Sequence, residues 1–105
     1  NQIEIHPFQT SCELSRFCLD HQILSIAFSP LARGIDYERK RDTPNLLENE
    51  LIKSLSLKHN VTPAQIVLNW NLSKGNAIIP KSANFERQVE NFGCWTFKMT
   101  PEDEA

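Results

Sequence analysis

The residues of this 105-residue chain best placed to do chemistry are Lys81, Ser82 and Arg87. The two cations bracket Asn84, a good helix cap, so they flank a helix N-terminus whose unpaired backbone N–H groups already favour negative charge. A phosphate is the natural ligand of such a place; two solvated surface cations are the plainer alternative. Ahead of them runs Ala77-Ile78-Ile79-Pro80, an apolar stretch stopped by proline. Two more places have the same form. His6 and Pro7 follow the alternating Ile3 and Ile5, and Phe28, Ser29 and Leu31 follow the apolar run that starts at Ile23. In parallel α/β proteins, function gathers at the carboxyl ends of the strands, so these three segments are the ones to inspect.

The remaining reactive side chains point to less. Cys12, Cys18 and Cys94 form an odd set with no CxxC spacing and no zinc-like pairing with His6, His21 or His59. They read as buried, reduced thiols in a cytoplasmic protein, and no metal site is expected. His21 and His59 fall near helix ends and read as ordinary surface residues, and Trp70 and Trp95 as packing residues. Eleven basic against thirteen acidic residues leave a net charge of −2, which provides no field to attract a nucleic acid. With 40% hydrophobic and 23% charged residues the chain is too apolar for a solvated disordered segment. Its longest nearly apolar run, Ile23 to Phe28, is far short of the roughly 20 residues that cross a membrane.

The elements that must position these residues follow from periodicity and capping. The alternation around Ile3 and Ile5 predicts a short strand. Thr10-Ser11-Cys12-Glu13 has capping-box spacing, and Leu14, Phe17 and Cys18 supply the buried face of a helix over about 11–21. Ile23 to Phe28 predicts a strand buried on both faces. The stretch 31–41 has no period and reads as a long loop. Thr43-Pro44 starts a helix that runs to about His59 on the stripe Leu47, Leu51, Ile52 and Leu55. Thr62-Pro63-Ala64-Gln65 starts another, with Ile66, Val67 and Trp70 facing inward and Gly75 past its end. A strand at Ala77 to Ile79 and a helix capped by Asn84, with the stripe Phe85, Val89 and Phe92, complete the order.

That order, β-α-β-loop-α-α-β-α, means right-handed crossovers and a parallel sheet covered by helices. Gly34, Gly75 and Gly93 are scattered, so there is no glycine-rich phosphate turn of the doubly wound nucleotide folds. The parallel architecture that remains is the (β/α)₈ barrel, which holds phosphate after its last two strands. The length is that of one domain, but Asn1 to Pro7 read as the interior of something already under way. Thr100-Pro101-Glu102-Asp103 announces a helix that Ala105 cuts short. The expectation is one partial domain over 1–105, truncated at both ends.

Four blocks carry a resemblance. Asn1-Gln2-Ile3-Glu4-Ile5-His6-Pro7, Ala27-Phe28-Ser29-Pro30-Leu31, Thr62-Pro63-Ala64-Gln65, and Ile79-Pro80-Lys81-Ser82-Ala83-Asn84 with Arg87 and Asn91 together resemble the aldo-keto reductase family, in its order and across nearly the whole chain. The resemblance implies the last three β/α units of an NADP-binding (β/α)₈ (TIM) barrel. It implies that Gln2 holds the nicotinamide carboxamide and that the nicotinamide ring stacks on Phe28, where most members have Tyr. Ser29 and Leu31 match the segment that contacts the pyrophosphate. Lys81, Ser82 and Arg87 match the site for the adenosine 2′-phosphate, which favours NADP over NAD, and Glu90 and Asn91 match positions that bind adenine. Many members have a glycine after Pro-Leu; here Ala32-Arg33-Gly34 follows. Arg33 either adds a charge contact or lies in solvent, and the charged loop 35–42 either straps the cofactor or is simply solvated.

The family's catalytic tetrad of Asp, Tyr, Lys and His matches nothing in this chain. Tyr37 lacks the surrounding motif, and His6 reads as structural. The resemblance therefore implies a monomeric full-length parent that reduces small-molecule aldehydes or ketones with NADPH, and a fragment that holds cofactor residues, is inactive and folds poorly alone. The alternative is a non-catalytic NADPH-binding subunit or structural protein of the same superfamily.

Overall fold

A computed structural model describes residues 1–32, 46–101 and 103. Three short strands, β1 (Gln2–Glu4), β2 (Ile26–Phe28) and β3 (Ala77–Ile78), form one parallel sheet in the order β1-β2-β3. Parallel neighbours need crossovers, and helices supply them: α1 (Cys12–Asp20) joins β1 to β2, and α2 (Glu50–His59) and α3 (Pro63–Ser73) precede β3. Helix α4 (Phe85–Phe92) and a 3₁₀ turn at Gly93–Trp95 follow. The α/β class and the element order are those expected. No helix among the described residues is long and apolar enough to cross a membrane.

Register assigns each strand residue to a face. Gln2 pairs with Ile26 and Ile26 with Ala77, Ile3 with Ala27 and Ala27 with Ile78, and Glu4 with Phe28. Since side chains alternate, Gln2, Glu4, Ile26 and Phe28 share one face, and Ile3, Ala27 and Ile78 the other. Ala27 is wholly buried, whereas Gln2 and Phe28 are exposed, so the face with Gln2 and Phe28 is the open one. The main apolar cluster lies between α2 and α3, where Leu46, Ile52, Leu55, Ile66, Val67 and Met99 meet and Leu31, Trp70 and Phe97 pack against them.

Helix α3 begins as expected. The Thr62 hydroxyl accepts from the Gln65 N–H at 3.2 Å, and Gln65 Oε1 accepts from the Thr62 N–H at 3.1 Å, with Pro63 in the first turn. Gly75 follows the helix at φ +84°, a conformation that suits glycine. Asn84 caps α4 by accepting from the Arg87 N–H at 3.1 Å.

Several expectations are corrected. The capping box at Thr10 does not form: the cap of α1 is Ser11, left-handed at φ 46°, and the Thr10 hydroxyl instead accepts from Cys12 Sγ. Strand β2 is three residues long rather than six, and Leu24 before it is 59% exposed. The start expected at Thr43-Pro44 lies outside the described residues, as do Arg33 and the loop 35–42. The helix ending at His59 is broken in two, because Asn49 is extended (ψ 132°) between a 3₁₀ turn at Leu46–Glu48 and α2. Asn49 caps α2 through the Leu51 and Ile52 N–H groups, so a competent cap inside an apolar period ended one helix and started another. Leu51 faces out.

The apolar faces of α1 and α4 are present but uncovered. Leu14 and Phe17 are exposed, as are Phe85, Val89 and Phe92, and α4 buries no side chain. Phe17 stacks instead on His21, one turn away, at 4.1 Å between ring centroids. Trp95, expected as a packing residue, is 66% exposed. Of the cysteines, Cys18 and Cys94 are buried and Cys12 is exposed at the first position of α1. Burial pushes the Cys94 thiol above its ordinary pKa, which keeps it protonated and unreactive.

Candidate cofactor site

All three strands run the same way, so their carboxyl ends lie along one edge of the sheet. Gln2 and Phe28 are on adjacent strands and the same open face, separated by one strand spacing and a two-residue rise, about 8 Å between Cα atoms. Phe28 therefore presents a ring and Gln2 an amide to the same space. Glu4, paired with Phe28, faces that space too, and its Oε1 lies 3.1 Å from His6 Nε2. His6 itself is buried, as a structural histidine would be.

The turn after β2 is tightly formed. Ser29 adopts φ 46° and its carbonyl accepts from the Ala32 N–H at 2.9 Å, with Pro30 buried inside the bend. A left-handed serine stores on the order of 1 kcal/mol of strain. Leu31 directs its side chain into the α2/α3 cluster, so its contribution to a ligand is confined to its backbone.

After β3, Ser82 organises the loop into α4. Its hydroxyl accepts from the Asn84 N–H at 3.1 Å, and its carbonyl accepts from Gln88 Nε2 at 2.7 Å. Lys81 is exposed at the end of β3 and Arg87 is exposed one turn into α4, so both cations stand beside the capped helix start. A cleft of about 460 Å³ opens between this loop and α4, lined on its polar side by Ser82, Gln88 and Asn91 and on its apolar side by Ile78, Phe92 and Trp95. Of the nine candidate residues, Phe28, Ser29 and Leu31 lie at the carboxyl end of β2, while Gln2 shares the open face with Phe28 but stands at the first position of β1, opposite Ile26. Lys81, Ser82, Arg87, Glu90 and Asn91 gather on the loop and helix after β3.

What the sequence reading missed is the set of buried polar side chains that hold these elements in place. Asn71 is fully buried in α3, where its Nδ2 donates to the Ile5 carbonyl at 2.9 Å and its Oδ1 accepts from Asn76 Nδ2 at 3.0 Å. Asn69 Nδ2 donates to the carbonyls of Cys94 (2.9 Å) and Phe97 (3.0 Å). The signal was there in Ile66-Val67-Leu68-Asn69-Trp70-Asn71: a helix that is apolar nearly all round is buried all round, and any amide on it needs buried partners.

His59 is likewise not an ordinary surface residue. Its Nε2 lies 2.8 Å from Asp103 Oδ2 and its ring rests on Phe97, while Lys58 Nζ donates to Asp103 Oδ1 at 2.6 Å. Thr100 and Asp103 cap each other's N–H groups, so the helix start expected there is realised as a capped turn tied back to α2. Lys58, then the Thr100 N–H and His59, hold the Asp103 carboxyl well below the usual carboxylate range.

Comparison with known proteins decides the family. The model of the aldo/keto reductase family matches residues 1–105. The chain belongs to that family. The aldo/keto reductase structure from Brucella melitensis superposes on 99% of the chain with a TM-score of 0.84 at 38% identity, and Gox0644 in its apo form on 99% with 0.87 at 35%. The sheet edge and the helices of this aldo/keto reductase chain are thus the arrangement of a (β/α)₈-barrel family. Among curated relatives it is 43% identical over 105 residues to mouse aldo-keto reductase family 1 member D1 and 39% over 103 residues to the 9,11-endoperoxide prostaglandin H2 reductase of Trypanosoma cruzi. It is 35% identical over 103 residues to methylglyoxal reductase DkgA of Escherichia coli. Each of these matches covers 98% of the chain, which spans only about a third of the relatives' length.

Proposed function

We propose that these residues form the last three β/α units of a (β/α)₈ aldo-keto reductase and supply most of its NADP(H) site. The parent would be a monomeric, cytoplasmic enzyme that reduces small-molecule aldehydes or ketones to alcohols. When bound, NADPH supplies the hydride. The observation that carries the reading is the shared face: an aromatic ring and, two residues back along the neighbouring strand, a side-chain amide on one open side of the sheet, with two cations at a capped helix start after the third strand.

The donor set fits the cofactor. Phe28 offers a ring face for stacking, for which the hydroxyl of the commoner Tyr is not needed. Gln2 has both an acceptor and a donor for a carboxamide. Lys81, Ser82, Arg87 and the first N–H groups of α4 match a phosphate, and Glu90 and Asn91 lie further along the same helix for adenine. The Ser29 turn and the Leu31 backbone would meet the pyrophosphate. The proton-donating tetrad belongs outside this chain, so the 105 residues alone should turn over no carbonyl substrate.

The test is cofactor titration of the full-length reductase. Lys81→Ala and Arg87→Ala should each weaken NADPH by about tenfold or more, the worth of a charge-assisted hydrogen bond, and leave NADH nearly unchanged. An equal loss for both cofactors would overturn the 2′-phosphate assignment.

A further inference from the structure

Helix α4 carries Arg87, Glu90 and Asn91, yet none of its side chains is buried and its apolar stripe is exposed. Side-chain burial therefore cannot fix where this helix stands, and something else must. Besides the Gln88–Ser82 bond to its own leading loop, the polar contacts that tie it to the rest of the fold include those of two amides one turn apart on α3. Gln65 Nε2 donates to the Glu90 carbonyl at 2.9 Å, and Asn69 donates to the carbonyls of Cys94 and Phe97 just beyond the helix. The Glu90 carbonyl already accepts from the Gly93 N–H at the end of the helix, so Gln65 adds a second, tertiary donor to it.

We infer that Gln65 is a positioning residue for the adenosine end of the cofactor site. This rests on the reading of that site given above. The Glu90 carbonyl belongs to the peptide that joins Glu90 to Asn91, so Gln65 holds the backbone between the two adenine-side residues. Its other end is committed as well: Oε1 accepts from the Thr62 N–H to complete the cap of α3. With both ends engaged the amide has one orientation, and the start of α3 is locked to the end of α4. The approach needs a glycine opposite. A Cβ on Gly93 would stand 2.7 Å from Gln65 Nε2 and would push the amide away from Glu90.

Two substitutions in the full-length protein test this role, and the first separates it from the cap. Gln65→Glu keeps the acceptor for Thr62 and removes the donor to Glu90. Gly93→Ala leaves Gln65 in place and pushes its Nε2 off the Glu90 carbonyl, straining the Thr62 cap as well, so Gln65→Glu is the variant that isolates the bond to Glu90. Both should weaken adenosine 2′,5′-bisphosphate and NADPH by about tenfold, with kcat at saturating NADPH unchanged. A merely structural role would lower Tm and leave affinity within about twofold, and that result overturns the proposal. Lys81→Ala and Arg87→Ala serve as the reference. If they weaken the bisphosphate and the other two do not, the positioning role alone fails. If neither weakens it, the cofactor reading fails and takes this proposal with it.

Discussion

Replacing Asn71 by alanine should cost about 3 kcal/mol of stability, and the figure follows from what the side chain leaves behind. Asn71 is completely buried, and its amide serves two partners. Without it the Ile5 carbonyl loses its donor and the Asn76 amide its acceptor. A buried polar group left unpaired costs about 1–3 kcal/mol. Asn76 keeps 9% of its surface and can recover part of its share through water, while the Ile5 carbonyl lies beside one of the most buried side chains and cannot. With the Asn76 share partly recovered, a loss in the lower half of the combined range of about 2–6 kcal/mol is expected, against about 5–15 kcal/mol for a whole domain. Equilibrium urea unfolding of the full-length protein reads it as a drop in midpoint at constant slope. Asn71→Leu fills the same volume with no amide, so it should be no better than alanine. Rescue by leucine, or a loss below about 0.5 kcal/mol for Asn71→Ala, would show that the amide only fills space. In a double-mutant cycle with Asn76→Ala, the two losses should fall short of additivity by about 1 kcal/mol.

Other expectations are simpler to check. Asp103 is ionised more readily in the folded chain than in the unfolded one, so its stabilising contribution is complete above the ordinary carboxylate pKa, about 4, and fades as pH falls through its lower folded value. Asp103→Asn should therefore lower Tm at neutral pH, with a gap from the parent that narrows under strong acid; a pH-independent gap would contradict the ion-pair account. Asn60 ends α2 in the left-handed conformation at φ 54°, where glycine is strain-free, so Asn60→Gly should raise stability by about 0.5 kcal/mol in thermal melts. The 105-residue chain expressed alone leaves Phe17, Leu24, Phe92 and Trp95 in water and should self-associate in sedimentation experiments; a monomer with a sharp thermal transition would refute that.

How far the sequence could be read depended on where the information lies. Local signals were legible: the Thr62 capping box, the Asn84 cap, Gly75 and the proline stops all depend on residues a few positions apart. The element order and the parallel sheet followed from them, and so did the grouping of Lys81, Ser82 and Arg87 after β3. Two kinds of feature were not legible. A period shows which residues share a face and not what covers it, so Leu14, Phe17 and the α4 stripe were expected inside and lie outside. Long-range polar contacts leave no periodic trace. Nothing near His59 announces Asp103, and nothing near Asn71 announces the Ile5 carbonyl, 66 positions away in sequence. Gln65 shows both limits at once, since its cap was read from four consecutive residues and its bond to Glu90 was not.

The parallel sheet has a consequence for the order in which the chain acquires its shape. Ile26 pairs with Ala77, roughly fifty residues later, and closing a loop of that length costs about 3.5 kcal/mol in chain entropy before any strand contact repays it. Helices α2 and α3 face no such barrier, because only Asn60 to Thr62 separate them and their apolar faces meet directly. The helical pair can therefore form early and the β2–β3 seam late. Phe28 and Lys81 reach their places only when that seam closes, so competence to bind ligand should trail the recovery of helical signal during refolding.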